Sequence, residues 1–130
     1  RSVSVTYARH LGAAFQIIDD VLDYTSSADV MGKNVGDDLA EGKPTLPLIR
    51  AMAVASANEA NMVHNAIRTG GLEHLQEIIE LVQRCGALDY SLARAQTEAE
   101  AAVAAVACLP DTPHRAALQG LARLSVARNA

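Results

Sequence analysis

The sequence predicts an all-α fold, and three observations indicate it. Half of the 130 residues are hydrophobic, yet only 3% are aromatic and there is no tryptophan. Ala, Leu and Val carry the apolar fraction, a profile that favours packed helices over sheets. Apolar residues recur at helical spacing, and glycine or proline separates the periodic segments. A chain of this length buries roughly two-thirds of its unfolded surface, so one domain with a packed core is expected.

Six helices are predicted in order along the chain. The first shows no N-cap signal, so we expect it to continue an element that begins earlier. Ser56 and Glu59 have capping-box spacing, Gly70 and Gly71 can end the helix that follows, and Pro110 breaks the long Ala-rich helix. The predicted ranges are 3–24, 45–55, 56–69, 72–84, 87–109 and 113–128.

The segment 25–43 lacks helical periodicity and contains three glycines. A connection of this length is expected to be functional or partly helical, and both options stay open for residues 35–41. We find neither a repeat nor a domain boundary, so residues 1–130 are expected to form one domain.

Composition excludes several classes of function. The net charge is −4, and no basic run is interleaved with aromatic residues, so nucleic acid is not an expected partner. The longest apolar stretch, residues 101–109, is too short to span a bilayer, and the first residues do not have the layout of a signal peptide. We therefore expect a soluble, cytoplasmic chain. Cys85 and Cys108 are expected to be buried reduced thiols, and the four histidines lack the spacing of zinc ligands.

Four polar side chains lie on one face of the first predicted helix. At about 100° per residue, they share a sector about 100° wide. The alternative is an ordinary solvated helix face. Such faces usually mix charges of both signs, whereas these carboxylates repel one another. They also lie near the C-terminal end of the helix, where the macrodipole disfavours negative charge. A hard cation such as Mg²⁺ would resolve this conflict. The four residues are Gln16, Asp19, Asp20 and Asp23.

The following segment adds lysines among glycines and carboxylates. Lys33 and Lys43 can reach phosphate oxygens, and the neighbouring acidic side chains suggest that metal stands between protein and phosphate. The spacing of residues 36–43 superficially suggests a P-loop, but no strand precedes it and the glycines are too far apart. The pattern therefore favours a metal-bridged diphosphate over a nucleotide.

These two segments resemble those of a known family. Residues 15–23, FQIIDDVLD, resemble the second aspartate-rich motif of trans-type polyprenyl diphosphate synthases, and residues 32–48, GKNVGDDLAEGKPTLPL, resemble the family segment that follows it. The resemblance covers essentially the whole chain and is strongest to the bacterial octaprenyl or nonaprenyl enzymes. It implies the C-terminal part of an isoprenoid-synthase-type helical bundle, usually a homodimer.

The resemblance also implies a chemistry and its residues. Mg²⁺ is the expected cofactor, and the expected substrates are an allylic diphosphate, such as farnesyl diphosphate, and isopentenyl diphosphate. Lys33 and Lys43 would contact the allylic diphosphate, Gln16 would line its site, and Asp19 would act in catalysis with the two lysines. The expected metal ligands are Asp19, Asp20, Asp23 and Asp38. The product would serve as the ubiquinone side chain and bring peripheral contact with membranes.

Other family features have no counterpart in this sequence. The first DDxxD motif and the site for isopentenyl diphosphate are absent, so we expect the chain alone to be inactive. The alternatives are a non-catalytic helical subunit that partners a synthase and, less in keeping with the EGKPTLPL segment, a terpene cyclase. Arg128 is a basic residue near the C-terminus that could approach the diphosphates.

Overall fold

A computed structural model describes residues 2–127 of the chain, and over these residues it confirms the all-α prediction. Seven helices follow one another in the described part, without a strand. They are α1 Ser2–Leu22, α2 Ala28–Ala40, α3 Leu46–Val54, α4 Ala57–Thr69, α5 Leu75–Arg84, α6 Ala87–Ala105 and α7 Pro113–Ala127.

Helix α2 lies in the segment 25–43, for which the sequence left a functional connection and a partly helical one open, and the helical option is confirmed. Gly32 and Gly36 lower its intrinsic helix propensity, but the side chains of Val35 and Leu39 are fully buried on one face, and α2 packs against α4 and α5. Burial of each such side chain contributes roughly 1.5–3 kcal/mol, more than a glycine costs. Tertiary packing therefore decides the structure of this segment.

Several helix ends differ from the predicted ones. Helix α6 stops at Ala105 because Pro110 disfavours helical conformation for the residues just before it, and the chain turns there instead. Cys108 lies in that turn and is exposed, so the prediction of a buried thiol is wrong for it, whereas Cys85 is partly buried and also free. The predicted helix end at 128, and with it Arg128, lies outside the described residues.

The two ends of α4 carry the signals that the sequence predicted. The Ser56 hydroxyl accepts a hydrogen bond from the Glu59 amide at 3.2 Å, and the Glu59 side chain accepts one from the Ser56 amide, which completes a capping box. At the other end Gly70 adopts φ +68°. A Cβ there would lie 3.1 Å from the Ala40 carbonyl oxygen, so glycine permits the ends of α2 and α4 to approach closely.

The chain divides into two compact units, which the sequence did not suggest. One contains residues 20–91, and the other contains the described residues of 1–19 and of 92–130, so both α1 and α6 run from one unit into the other. The core of the first unit comes mainly from α2 to α5 and includes Leu39, Leu48, Ile78, Leu81 and Val82.

The second unit has a smaller core built around alanines. Tyr7 packs with Ala102, Val106 and Ala122, and its hydroxyl donates a hydrogen bond of 2.6 Å to the Leu118 carbonyl oxygen. No helix in the described part of the chain is long and apolar enough to cross a membrane.

Candidate metal centre

Three carboxylates converge where α1 ends and α2 approaches its own end. Asp20, Asp23 and Asp38 each offer one oxygen, and these three oxygens lie within 4.8 Å of one another. Asp20 is 8% exposed, while Asp23 and Asp38 are partly buried. All three belong to the unit of residues 20–91. The group is therefore assembled from two helices and partly withdrawn from water.

Asn34 fixes one member of the group. Its side-chain amide nitrogen donates a hydrogen bond of 3.0 Å to Asp23 Oδ1. Asn34 and Asp38 stand four residues apart on α2 and so share a face of that helix. One helix face thus supplies one carboxylate of the group and a hydrogen bond to a second carboxylate, which directly follows α1.

The three carboxylates repel one another at this separation. At an effective dielectric constant of about 20, two full charges 4.8 Å apart repel by roughly 3 kcal/mol. Both helices also bring these carboxylates to their C-terminal ends, where the macrodipole is negative. Burial raises the pKa of the Asp38 carboxyl, and the charges of Glu41 and Asp37 raise it further, whereas Lys43 lowers it.

Lys43 is a cation that lies beside the group. Its Nζ is 4.0 Å from Asp38 Oδ1, with 52% of the lysine side chain exposed against 19% for the aspartate. An exposed pair at this distance contributes little to stability. The amine instead remains available to a further anion at the edge of the carboxylate group.

The donor set fits a hard divalent cation. Mg²⁺ binds carboxylate oxygens at about 2.1 Å in an octahedral shell, so opposite ligands lie about 4.2 Å apart. The oxygens of Asp20, Asp23 and Asp38 already lie within 4.8 Å of one another, close to the span of one such shell. These residues could hold a cation that also takes oxygens from a phosphate.

The remaining predicted site residues are exposed. Asp19 precedes Asp20 on α1, but its side chain is on the surface and is not a member of the group. Gln16 lies one turn earlier and is also exposed, as is Lys33 on α2. The structure thus brings together three of the four predicted metal ligands and one of the two predicted lysines.

Two hydroxyl groups behind the carboxylates were not predicted. Tyr24, which follows Asp23 directly, is 2% exposed. Burial raises the pKa of its hydroxyl above the usual range, and the charges of Asp38, Asp23 and Asp20 raise it too. Thr45 acts in the opposite direction and lowers that pKa, while its Oγ1 makes no hydrogen bond of normal geometry within the described residues.

The sequence carried only weak signals for these additional residues. Asn34 and Asp38 become visible as one face only once α2 is known to be a helix. Tyr24 has the appearance of a core aromatic, and its ring does belong to the core of its unit. Thr45 has the appearance of an ordinary N-cap.

Comparison with known sequences places the chain among prenyl-chain enzymes. A sequence model of the family described as polyprenyl synthetase matches residues 2–84. The chain is 52% identical over 122 residues to the all-trans-nonaprenyl-diphosphate synthase (geranyl-diphosphate specific) of Rhodobacter capsulatus, with 94% of the chain and 38% of the relative covered. It is 51% identical over 124 residues to the octaprenyl diphosphate synthase of Escherichia coli, with 95% and 38% covered.

Solved structures give the same result. A polyprenyl synthase from Caulobacter crescentus, complexed with calcium and isoprenyl diphosphate, superposes with a TM-score of 0.80 at 41% identity, over 99% of this chain and 40% of that one. A polyprenyl synthase from Roseobacter denitrificans gives 0.82 at 40% identity, over 98% and 41%. The chain thus spans about two-fifths of the length of these relatives.

Proposed function

Because the chain belongs to the polyprenyl synthetase family, we propose that it supplies the Mg²⁺ and allylic diphosphate site of a long-chain trans-polyprenyl diphosphate synthase. The observation that carries the proposal is the convergence of Asp20, Asp23 and Asp38, with the Lys43 amine 4.0 Å from Asp38. Carboxylates attract the cation, and the lysine stands ready for the diphosphate that the cation would bridge.

The residues of the chain divide this task. Asp20, Asp23 and Asp38 would hold Mg²⁺, which when bound neutralises negative charge on the diphosphate. Asp19 would join them by analogy with the family motif. Lys43 and, through its exposed position on α2, Lys33 would bind diphosphate oxygens. Gln16 would line the same site one turn before Asp19.

The proposed reaction joins two isoprenoid units. The bond between the allylic carbon and the diphosphate oxygen breaks, and the electron pair leaves with the diphosphate. The double bond of isopentenyl diphosphate attacks the resulting allylic cation, a carbon–carbon bond forms, and a proton is lost. Lys33 and Lys43 would stabilise the charge that develops on the leaving diphosphate. Such preorganised charges act without a nucleophilic serine or cysteine.

A second set of residues must complete the active site. The printed sequence contains one aspartate-rich motif of the kind that the family carries twice, and it contains no counterpart of the isopentenyl diphosphate site. We propose that the 130-residue chain binds metal and diphosphate but does not transfer prenyl groups unless the complementary part is supplied.

We propose finer properties by analogy with the relatives. The proposed product is an octaprenyl or nonaprenyl diphosphate, the length named for the similar enzymes. The product would serve as the side chain of ubiquinone. The full enzyme would be a cytoplasmic homodimer that contacts membranes through its apolar product.

Metal binding by matched variants tests the proposal. Mn²⁺, as a spectroscopic substitute for Mg²⁺, is titrated into the chain with and without inorganic pyrophosphate, and free Mn²⁺ is counted by electron paramagnetic resonance. Asp23→Ala removes a member of the carboxylate group and should weaken binding at least about tenfold. Asp29→Ala removes the same charge from an exposed position in the first turn of α2 and should leave binding nearly unchanged.

The alternative function makes a different prediction. A non-catalytic helical subunit has no use for the cation, so Asp23→Ala and Asp29→Ala would then behave alike. Wild-type chain that fails to retain Mn²⁺ with pyrophosphate would favour that alternative.

A further inference from the structure

Asn34 occupies a position in α2 where local structure gives no reason for an asparagine. It lies in the middle of the helix, and asparagine is a poor helix former there because its side chain competes with the backbone for hydrogen bonds. Its amide nitrogen instead donates a hydrogen bond of 3.0 Å to Asp23 Oδ1. The side chain therefore acts between α2 and the residue that directly follows α1.

The backbone of Asn34 is held in place by packing. The next residue, Val35, is 1% exposed, and Leu39 on the same helix is fully buried. Both belong to the core of their unit, and α2 packs against α4 and α5. A donor on a helix fixed in this way restricts the Asp23 carboxylate, because the carboxylate loses the hydrogen bond when it turns. Asn34 thus limits the directions in which the two oxygens of Asp23 can face.

The hydrogen bond also makes the two oxygens of Asp23 unequal. Oδ1 accepts from Asn34, so one of its acceptor positions is taken, whereas Oδ2 is not part of that bond. A cation among Asp20, Asp23 and Asp38 would therefore meet Asp23 most readily through one oxygen. Mg²⁺ needs near-octahedral geometry and suits carboxylates that give one oxygen each, whereas the larger Ca²⁺ takes about six to eight oxygens and accepts both oxygens of one carboxylate.

We infer that Asn34 is a positioning residue that sets the cation preference of the site: by holding Asp23 in a one-oxygen arrangement, it favours Mg²⁺ over Ca²⁺. A support of this kind acts on the metal through the ligand that it orients. The inference rests on the proposed function, because it requires that Asp23 binds a cation.

Asn34→Leu tests the inference in the 130-residue chain. Leucine has nearly the shape of asparagine, cannot donate a hydrogen bond and favours a helix, so α2 should be preserved. Asn61→Leu is the matched control, since it makes the same exchange at an exposed position inside α4. Each variant is loaded with Mn²⁺ in inorganic pyrophosphate. Mg²⁺ or Ca²⁺ is then added until half of the bound Mn²⁺ is released, as counted by electron paramagnetic resonance.

The ratio of the two releasing concentrations is the decisive quantity. Asn34→Leu should shift this ratio in favour of Ca²⁺ about three- to tenfold, the size of one hydrogen bond, and Asn61→Leu should leave it unchanged. Partial unfolding weakens the binding of both cations by the same factor, so it does not move the ratio. Because Asn34 acts through Asp23, Asn34→Leu should not shift the ratio further in an Asp23→Ala background.

The outcomes separate this inference from the proposed function. If wild type retains Mn²⁺ and Asp23→Ala weakens its binding, but the ratio in Asn34→Leu equals that in Asn61→Leu, the inference is overturned and the proposed function stands. An undiminished shift by Asn34→Leu in the Asp23→Ala background also overturns it. If wild-type chain retains no Mn²⁺ with pyrophosphate, both are overturned.

Discussion

Replacing Asp38 by asparagine should stabilise the metal-free chain. The oxygens of Asp20, Asp23 and Asp38 lie within 4.8 Å of one another, and each pair of full charges repels by roughly 3 kcal/mol at an effective dielectric constant of about 20. Lys43, at 4.0 Å, opposes this only in part because its side chain is half exposed. After solvent screening we expect a gain of about 1 kcal/mol, or about 3–5 °C in thermal midpoint for a chain of this size.

The gain should depend on pH. The folded state raises the pKa of Asp38 above its ordinary value, mainly through burial. A carboxyl group whose pKa is raised in the folded state lowers the stability at every pH at which the same group is ionised in the unfolded chain. Wild-type stability therefore falls as the pH rises from the unfolded pKa of this carboxyl through its folded pKa. The advantage of Asp38→Asn should be complete near pH 7 and absent below about pH 3.5.

The assay is thermal unfolding followed by helical circular dichroism, in chelator and at low salt. Asp29→Asn is the matched control, because Asp29 is exposed in the first turn of α2, away from the group, and its removal changes the net charge equally. Equal midpoints for the two variants at neutral pH, or a lower midpoint for Asp38→Asn, would refute the electrostatic reasoning about the carboxylate group.

Two further predictions concern the fold around the site. Gly70→Ala should destabilise the chain by about 1–3 kcal/mol in urea unfolding, because φ is +68° and the new Cβ would lie 3.1 Å from the Ala40 carbonyl oxygen. Gly120→Ala is the control, because the space around its Cβ is open, and it should be neutral or stabilising. Similar changes in the free energy of unfolding for the two variants would contradict this reasoning. Glu98 has a pKa lowered chiefly by its hydrogen bond to His10, so it adds stability above its ordinary pKa that is lost as pH falls through its folded value. Glu98→Gln should therefore flatten the acid side of the stability profile, and an unchanged slope would show that the pair contributes nothing.

Helix periodicity made most of the fold predictable. The spacing of Leu11, Ile18 and Leu22 indicated α1, and the capping box of Ser56 and Glu59 set the start of α4 where the structure has it. Such signals are local, so one sequence suffices to see them. The family resemblance, which came from two continuous motifs, is confirmed by the match of the polyprenyl synthetase model to residues 2–84.

The sequence left helix α2 undecided and did not predict its full extent, because its stability is not local. Its two glycines disfavour a helix, and only the burial of Val35 and Leu39 against other helices compensates for them. The hydrogen bond from Asn34 to Asp23 could not be predicted for the same reason. It joins residues eleven positions apart in the sequence and forms only if α2 is helical.

The candidate site was predictable in its charges but not in its support. Asp20 and Asp23 stood out because carboxylates share one face of the first helix near its C-terminal end, and Asp38 stood out through the family resemblance. Tyr24 and Thr45 are uncharged and follow common patterns for a core aromatic and an N-cap. Their proximity appears only when the chain is folded.

Prenyl transfer by a chimera tests the central claim most directly. The 130-residue chain replaces the matching segment of the Escherichia coli octaprenyl diphosphate synthase, to which it is 51% identical, and the purified enzyme receives farnesyl diphosphate, isopentenyl diphosphate and Mg²⁺. We predict long-chain product from the chimera, none from the 130-residue chain alone, and a large loss with Asp23→Ala but not Asp29→Ala. A folded chimera without product, or one indifferent to Asp23→Ala, would contradict the assignment of the metal and diphosphate site to this chain.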